Sequence, residues 1–417
     1  MAERLNRFPQ GAPPTHLLFK ILRILLHERE AALLAQLPIR PFTASRAAQV
    51  WDMAEAEARK ILEGLADRAL LLDYVAEGET RYVLPPPMAG FFEFSLMRVR
   101  HDIDQKALSE LFFQYLNVEE DFVRDLFARG ETQLGRVFVH ETALPASDVL
   151  QVLDYERASE VVRRAPVIGV GVCYCRHKMD HLGRACDAPM DICMTFGTAA
   201  DSLTRHGVAR RIDAAECLDL LAKARERGLV QFGENAREGV NFICNCCGCC
   251  CEAMIAARRF GHLRPVHTTN YLPSLDGTAC NGCGKCKKAC PVEALDLAPA
   301  PEPARPSAKK ALLHEDACLG CGVCVGACPN GGIAMRERAE RVLTPLNSTH
   351  RVVMMAIERG TFAELLVDGQ STYGHRVVAA ILGTLLNLPP LKQALASRQA
   401  RSRCIEALIQ ATSGGTA

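Results

Sequence analysis

The chain has 417 residues, enough for roughly two to four domains, and its 49 basic and 48 acidic residues give a formal net charge of +1. This balance argues against a strongly basic nucleic-acid scaffold and against an acidic disordered tail. Hydrophobic residues make up 49% of the chain, enough to bury sizeable cores, so the composition excludes wholesale disorder.

Cysteine is the compositional outlier, with 20 residues. The first nine residues lack the apolar core of a signal peptide. A helix that spans a membrane needs about 18 uncharged apolar residues in a row, and no run in the sequence is that long. The longest candidate, 377–391, is shorter and contains Asn387 and two prolines. We therefore expect a cytoplasmic protein without a transmembrane segment. In a reducing compartment, dense cysteines bind metal rather than form disulfides.

Residues 1–87 are predicted to form a small α/β module. Apolar residues recur at helical spacing over 15–36, and Asp52, followed three positions later by a glutamate, can begin a later helix. Strand-like runs at 70–75 and 80–84 predict a hairpin around a glycine. Three helices followed by a hairpin resemble a winged helix-turn-helix domain.

The charge of this module decides between nucleic acid and protein as its partner. A helix that enters the major groove of DNA needs positive charge, because most of its affinity comes from phosphates. The corresponding helix here, 54–69, carries four acidic and three basic residues. The pattern disfavours nucleic acid and favours a protein-docking or structural role.

Two regions of the chain have mainly helical patterns. Residues 88–165 are predicted to be mostly helical, with the clearer patterns at 105–116 and 154–164. Residues 341–417 alternate helical apolar patterns with turns, and we expect a helical C-terminal region. Neither region contains a motif that indicates chemistry.

Residues 166–262 are predicted to be a Cys-rich α/β domain that binds metal. The domain begins with a strand-like run at 167–173 and contains a helix marked by a capping box of Asp213 and Glu216. Cys217 lies in this helix among leucines. We therefore predict that Cys217 is a core residue and not a ligand.

Ten other cysteines of this domain are candidate ligands of a further centre, because a core needs far fewer thiols. They are Cys173, Cys175, Cys186, Cys193, Cys244, Cys246, Cys247, Cys249, Cys250 and Cys251. The groups 173–193 and 244–251 follow strand-like segments and are expected to meet across one site. We expect an iron–sulfur centre; zinc, or redox-active or merely buried thiols, are the alternatives. His177, Asp180 and His181 are further candidates as ligands or proton relays.

Residues 263–340 contain one cysteine motif twice, 38 residues apart. The two copies are Cys280-x2-Cys283-x2-Cys286-x3-Cys290-Pro291 and Cys318-x2-Cys321-x2-Cys324-x3-Cys328-Pro329. Three thiolates separated by two residues each let a tight loop surround three corners of one cube. Glycines at matching positions of both copies permit the positive φ that such a loop needs.

The segment 271–338 therefore resembles a bacterial two-cluster 4Fe–4S ferredoxin. The resemblance implies that each cluster takes its fourth thiolate from the cysteine before proline in the other copy. It assigns Cys280, Cys283, Cys286 and Cys328 to cluster 1, and Cys318, Cys321, Cys324 and Cys290 to cluster 2. The proline-rich stretch 298–306 between the copies is expected to be a surface insertion that leaves the ligands intact.

The charge around the two copies differs. Lys285, Lys287 and Lys288 lie in the first copy, whereas the second has no charge between its cysteines. The lysines favour cluster 1 as the docking end for an acidic redox partner protein. The alternative is an ordinary solvated face.

Over 15–340 the chain resembles the large cytosolic dicluster ferredoxin-type proteins of anaerobic and facultative bacteria. The resemblance implies an iron–sulfur protein that transfers single electrons, as a carrier or as an electron-transfer subunit of an oxidoreductase rather than as a stand-alone catalyst. The alternatives are a redox-sensing transcription regulator that uses the N-terminal module, and a reductase with chemistry at the upstream centre. The sequence contains no phosphate-binding loop or dinucleotide fingerprint, and it assigns neither catalytic residues nor an oligomeric state.

Overall fold

A computed structural model describes most of the chain, and its mixture of helices and strands agrees with the predicted α+β class. The described residues are 1–127, 129–144, 153–261, 264–300, 308–362, 365, 383–398 and 401. Within these ranges, no helix is both long and apolar enough to cross a membrane. Cys404 and part of the apolar stretch 377–391 lie outside them.

The N-terminal module contains helices on one side and a small antiparallel sheet on the other. Its helices are Ala2–Asn6, His16–Leu25, Glu28–Gln36, Ala44–Trp51 and Glu55–Asp67, and its strands are Phe42–Thr43, Leu72–Ala76 and Glu79–Val83. The last two strands form the predicted hairpin, and Phe42–Thr43 pairs with the second of them. The sheet therefore has the order first, third, second strand.

Two local expectations for this module were wrong. The helix expected over 15–36 is interrupted, because Leu26 and His27 have extended backbone and the Glu30 carboxylate accepts the His27 amide at 3.0 Å, which starts a new helix. Asp52 does not begin a helix. It has left-handed backbone (φ 51°) and ends the preceding one.

The region 88–165 is largely helical but also contributes an edge strand. Its helical segments are Phe92–Phe94, Gln105–Phe113, Gln114–Val118, Glu120–Phe127, Glu141–Ala143, Asp154–Glu156 and Ala158–Arg164. Phe92 lies at the centre of an aromatic core, with its ring centroid 5.3 to 6.1 Å from those of Phe112, Tyr115 and Phe122. The strand Gly135–Val137 joins the sheet of the following domain.

The Cys-rich domain is built on an antiparallel sheet. In spatial order its strands are Gly135–Val137, Val230–Glu234, Phe242–Cys246, Asp191–Phe196, Ile168–Val172 and Arg210–Ile212. Its helices are Tyr174–His181, Gly197–Arg205, Ala214–Glu226 and Glu252–Arg259. The strands that carry Cys193 and Cys244 are neighbours in the sheet, so the folded domain brings together segments about 50 residues apart.

The helix Ala214–Glu226 forms as its capping signal predicts, because the Asp213 carboxylate accepts the Glu216 amide at 2.8 Å. The Glu216 side chain pairs with Arg210 instead of completing the capping box. Cys217 is fully buried, 3.6 Å from the sulfur of Met194, and burial raises the pKa of its thiol to about 12. The prediction that Cys217 is a core residue is confirmed.

The ferredoxin-like region has two similar halves. Its antiparallel pairs are Tyr271–Leu275 with Ile333–Glu337 and Leu295–Pro299 with Lys309–Leu313, and its short helices are Lys285–Ala289 and Val323–Ala327. The second pair closes a hairpin around the proline-rich stretch, of which 301–307 lie outside the described residues. Each short helix contains the third cysteine of its motif and is followed directly by the cysteine before proline.

The described part of 341–417 is helical where it has regular structure. It comprises the helix Ser348–Glu358 and helical residues in 383–386 and 390–398. Arg351 anchors the first helix to the central sheet by a buried pair with Glu234, at 2.8 Å. Much of the remaining C-terminal region falls outside the described residues.

Candidate metal centres

The first ferredoxin-like cavity is lined by cysteines from both motif copies. Cys280, Cys283 and Cys286 come from the first copy, and Cys328 comes from the second. Cys286 is buried, whereas Cys283 is exposed at the surface. The cavity therefore has one edge that a redox partner can approach.

The second cavity has the reciprocal composition. Cys318, Cys321 and Cys324 come from the second copy, and Cys290 comes from the first. A small apolar core lies between the two cavities and contains the buried residues Cys286 and Cys324, one from each. The two thiol sets are thus neighbours, and the second is the more enclosed.

Glycines allow the cysteine loops to lie directly against neighbouring backbone. Gly282 and Gly320 both have φ of 71°, and a Cβ on either would lie 2.2 Å from a carbonyl oxygen, that of Lys309 or of Tyr271. A side chain at either position would be strained and would also collide with backbone. The matching contacts explain why both copies of the motif carry glycine there.

Backbone amides point at several of these sulfurs. The amide of Ala294 donates to Cys290 Sγ at 3.2 Å, that of Ala311 to Cys280 Sγ at 3.4 Å, and that of Gly320 to Cys318 Sγ at 3.4 Å. Such bonds stabilise negative charge on sulfur and tune the potential of a bound cluster. The donor sets, all thiol and surrounded by amides, fit iron–sulfur clusters.

The upstream cysteines separate into two adjoining sets. The first, the four-thiol set, consists of Cys186, Cys247, Cys249 and Cys250, whose sulfurs all lie within 4.8 Å of one another. Neighbouring sulfurs are 3.6 to 3.9 Å apart. A tetrahedral ion with bonds of about 2.3 Å to sulfur places its ligands about 3.8 Å apart. The four-thiol set is therefore sized for a single ion.

The second upstream set, the six-thiol set, lines a cavity between the sheet and the helices that cover it. Its members are Cys173, Cys175, Cys193, Cys244, Cys246 and Cys251. Cys246 and Cys251 have sulfurs 3.1 Å apart. Cys247 and Cys250 of the four-thiol set also line part of this cavity, so the two sets adjoin.

A buried cation and a buried carboxyl accompany these thiols. Arg176 is only 1% exposed and is held by the carbonyls of Pro189, at 2.6 Å, and Asn245, at 2.8 Å. A hydrogen bond from Cys250 and, to a smaller extent, the charge of Arg176 hold the pKa of Cys247 below the usual range, against the effect of burial. Burial raises the pKa of Glu93 to about 7, although two backbone amides donate to its carboxylate.

Comparison with known families identifies one segment of the chain. Residues 279–332 match the family model of the 4Fe-4S dicluster domain. No curated protein and no solved structure matched the chain. The match supports a ferredoxin-type iron–sulfur domain, and together with the cysteine cluster it indicates iron–sulfur electron transfer.

The dicluster domain contacts the Cys-rich domain directly. A Cβ on Gly248, which lies between Cys247 and Cys249, would be 2.6 Å from the carbonyl oxygen of Pro291. Pro291 immediately follows Cys290 of the second cavity. The upstream cysteines are therefore adjacent to the enclosed end of the dicluster domain.

Three other candidates do not join these sets. His177 Nδ1 lies 2.7 Å from the carbonyl oxygen of Leu96, and its ring packs on that of His181, with centroids 4.7 Å apart. Among the described residues that line the six-thiol cavity, neither these histidines nor Asp180 is present.

Sequence reasoning missed Glu93 and Arg176. Glu93 lies 80 residues before the first cysteine, and nothing in its sequence neighbourhood indicates metal or redox chemistry. Arg176 directly follows Cys175, and a cation beside a dense thiol cluster was a signal that could have been used.

Proposed function

We propose that the protein transfers single electrons through two ferredoxin-type 4Fe–4S clusters beside an additional Cys-rich metal centre, as an electron carrier or as an electron-transfer subunit of an oxidoreductase. The observation that carries the proposal is the exchange of one cysteine between the motif copies, which leaves each cavity with four thiols. Cluster 1 would be held by the set that includes Cys328, and cluster 2 by the set that includes Cys290.

Each 4Fe–4S cluster, when bound, exchanges one electron with little rearrangement because the charge spreads over its irons. The chain's own residues supply the ligands, donate amide hydrogen bonds to the sulfurs and limit access of water. The shared core between the cavities keeps them adjacent, which favours transfer between them.

The exposure of the two cavities gives the proposed path a direction. Cys283 is exposed, and Lys285, Lys287 and Lys288 around it are exposed as well. Cys318 is buried, and the neighbouring Pro291 packs against the Cys-rich domain. We therefore place the docking end for a redox partner at cluster 1 and the internal end at cluster 2.

The four-thiol set supports the additional metal centre. Its sulfur spacing suits one tetrahedral ion, zinc or iron. An ion bound there would fix the conformation of the Cys-rich turn beside the dicluster domain, because Gly248 in that turn contacts Pro291.

The experiment is anaerobic purification of the full chain, followed by analysis of iron and acid-labile sulfide and by electron paramagnetic resonance of the reduced protein. We expect about 8 iron from the dicluster domain, in addition to any upstream metal. Cys328 belongs to the second motif copy, but it is the fourth ligand proposed for cluster 1. Cys328→Ala should therefore remove the signal of cluster 1. Cys290→Ala should remove that of cluster 2.

Cys217→Ala is the matched control, because Cys217 is buried away from every cavity described above and its replacement should leave the metal content unchanged. Fewer than about four iron per chain after reconstitution would refute the proposal. Loss of the cluster-2 signal in the Cys328→Ala variant would refute the exchange of ligands between the motif copies.

A further inference from the structure

The six-thiol set has more ligands than one metal ion can use. A thiolate-bound zinc or iron ion takes four ligands in a tetrahedron. In the six-thiol set the thiols contact one another in a row, from Cys175 to Cys251, Cys246, Cys244 and Cys193. Cys173 is close enough to Cys244 and Cys251 to interact with both electrostatically. The row surrounds a cavity instead of converging on a point.

The geometry also differs from that of the four-thiol set. Among the described residues, the group of metal-ligating atoms that all lie within 4.8 Å of one another is the four-thiol set. The six-thiol set instead lines a cavity of about 100 Å³. Thiols spread around a space of this size suit a body larger than an ion.

The secondary structure holds these thiols on rigid elements. Cys193 lies opposite Gly171 in one pair of neighbouring strands, and the strand that carries Cys244 and Cys246 pairs with the other side of the Cys193 strand. Cys175 lies on the helix that follows the first of these strands. Ligands on strands and helices keep their positions when metal binds.

The surroundings favour a charged inorganic cluster over a structural thiol core. Apolar side chains from several elements close the cavity, among them Met97, Phe94 and Phe232. The Arg176 guanidinium also lines the cavity, where its charge attracts the Cys173 thiolate as well as Cys186 and Cys247 of the adjoining four-thiol set. In an ordinary apolar core, burial of a cation at this position would cost free energy without a compensating negative charge.

We propose that the six-thiol cavity holds a polynuclear iron–sulfur cluster next to the four-thiol metal site. The proposal deepens the proposed function, since this cluster would be the redox-active part of the additional centre, but its ligands are separate from those of the dicluster domain. The cavity and the four-thiol set therefore have different metal stoichiometries.

The test compares two variants of the full chain, purified anaerobically. Cys175→Ser/Cys193→Ser removes ligands that belong only to the six-thiol set, and Cys186→Ser/Cys249→Ser removes ligands that do not line the cavity. The first variant should lose at least about four iron and an equal amount of acid-labile sulfide. The second should lose one metal ion and no sulfide.

Several outcomes would overturn the proposal. One is unchanged iron and sulfide in Cys175→Ser/Cys193→Ser, and another is an equal loss of sulfide in Cys186→Ser/Cys249→Ser. The signals of the reduced dicluster domain show whether each variant is folded. If the double variant loses these signals, the single variant Cys175→Ser replaces it as a milder change. Failure of the proposed function would appear differently, as missing dicluster signals in the unaltered chain.

Discussion

His206 joins the N-terminal module to the Cys-rich domain through both of its ring nitrogens. Nδ1 lies 2.7 Å from the Asp67 carboxylate, and Nε2 lies 2.9 Å from the Asp73 carboxylate. Since both neighbours are acceptors, both nitrogens must donate, which requires the imidazolium. The hydrogen bond to Asp73 raises the pKa of His206. Burial alone would raise the pKa of Asp73, but bonds from His206, Arg205 and Ser202 hold it well below the usual range.

We predict that His206→Gln destabilises the protein by about 1–2 kcal/mol at pH 6, since it removes charge-assisted hydrogen bonds. Because the folded pKa of His206 lies above its unfolded value of about 6.5, the stabilisation is fully present below that value and is lost as the pH rises through the folded pKa. The thermal midpoints of the two proteins should therefore converge as the pH rises above the folded pKa of His206. His101→Gln, at an exposed histidine, is the control. A gap of constant size would contradict the assignment.

At the scale of elements, the helix Glu55–Asp67, which the sequence pattern predicts in the position of a DNA-reading helix, carries charges that do not suit DNA. Arg59 pairs with Glu55 at 2.7 Å on its exposed face, and Glu57 pairs with Arg29 of a neighbouring helix at 3.1 Å. Arg205 and His206 meanwhile bind the hairpin residue Asp73. Charged side chains of the module thus pair with other groups of the protein. This pairing favours the structural or docking role over that of a transcription regulator.

Sequence reasoning was most effective where chemistry imposes fixed spacing. The repeated motif indicated which cysteines would lie together, since thiol loops around a cube leave few choices of spacing. The hairpin and the buried position of Cys217 also followed from local patterns. The break at Leu26 and the left-handed Asp52 were missed. Apolar periodicity does not reveal the new helix start, where the His27 amide donates to the Glu30 carboxylate, and Asp52 ends the preceding helix instead of beginning the next. The division of the upstream cysteines depends on strands that pair across about 25 and about 50 residues of chain, and one sequence does not specify these pairings.

The turn at Gly248 lies against Pro291 at a contact between the Cys-rich domain and the dicluster domain. We predict that Gly248→Ala destabilises the protein by about 1–3 kcal/mol, because its Cβ would meet the Pro291 carbonyl oxygen, a backbone atom that cannot turn aside. The measurement is thermal unfolding of the metal-loaded protein. Gly326→Ala is a matched control, since a Cβ there meets nothing within 4 Å. If Gly248→Ala and Gly326→Ala changed the thermal stability equally, the turn at Gly248 would be free to move away from Pro291, and the prediction would be wrong.

At the scale of the whole molecule, the thiol-lined cavities follow one another from the exposed lysines of the first motif copy to the Cys-rich domain. The exposed Cys283 and its lysines lie at one end, the enclosed second cavity follows, and the Cys-rich turn packs against that cavity. The net charge of +1 conceals this local concentration of positive charge. Electrostatic attraction at one end of such an arrangement determines which partners approach and how fast.

That end can be tested with small reductants of opposite charge. We predict that Lys285→Glu/Lys288→Glu slows reduction of the chain by anionic dithionite about 3- to 10-fold at low salt and accelerates reduction by a cationic viologen radical, because the charge beside Cys283 changes sign. Stopped-flow absorbance under anaerobic conditions measures both rates, and the differences should shrink as ionic strength rises. Lys20→Glu/Lys60→Glu makes the same change in net charge at exposed positions of the N-terminal module, and it should leave the rates nearly unchanged. Equal effects of the two double variants would mean that electrons do not enter beside Cys283.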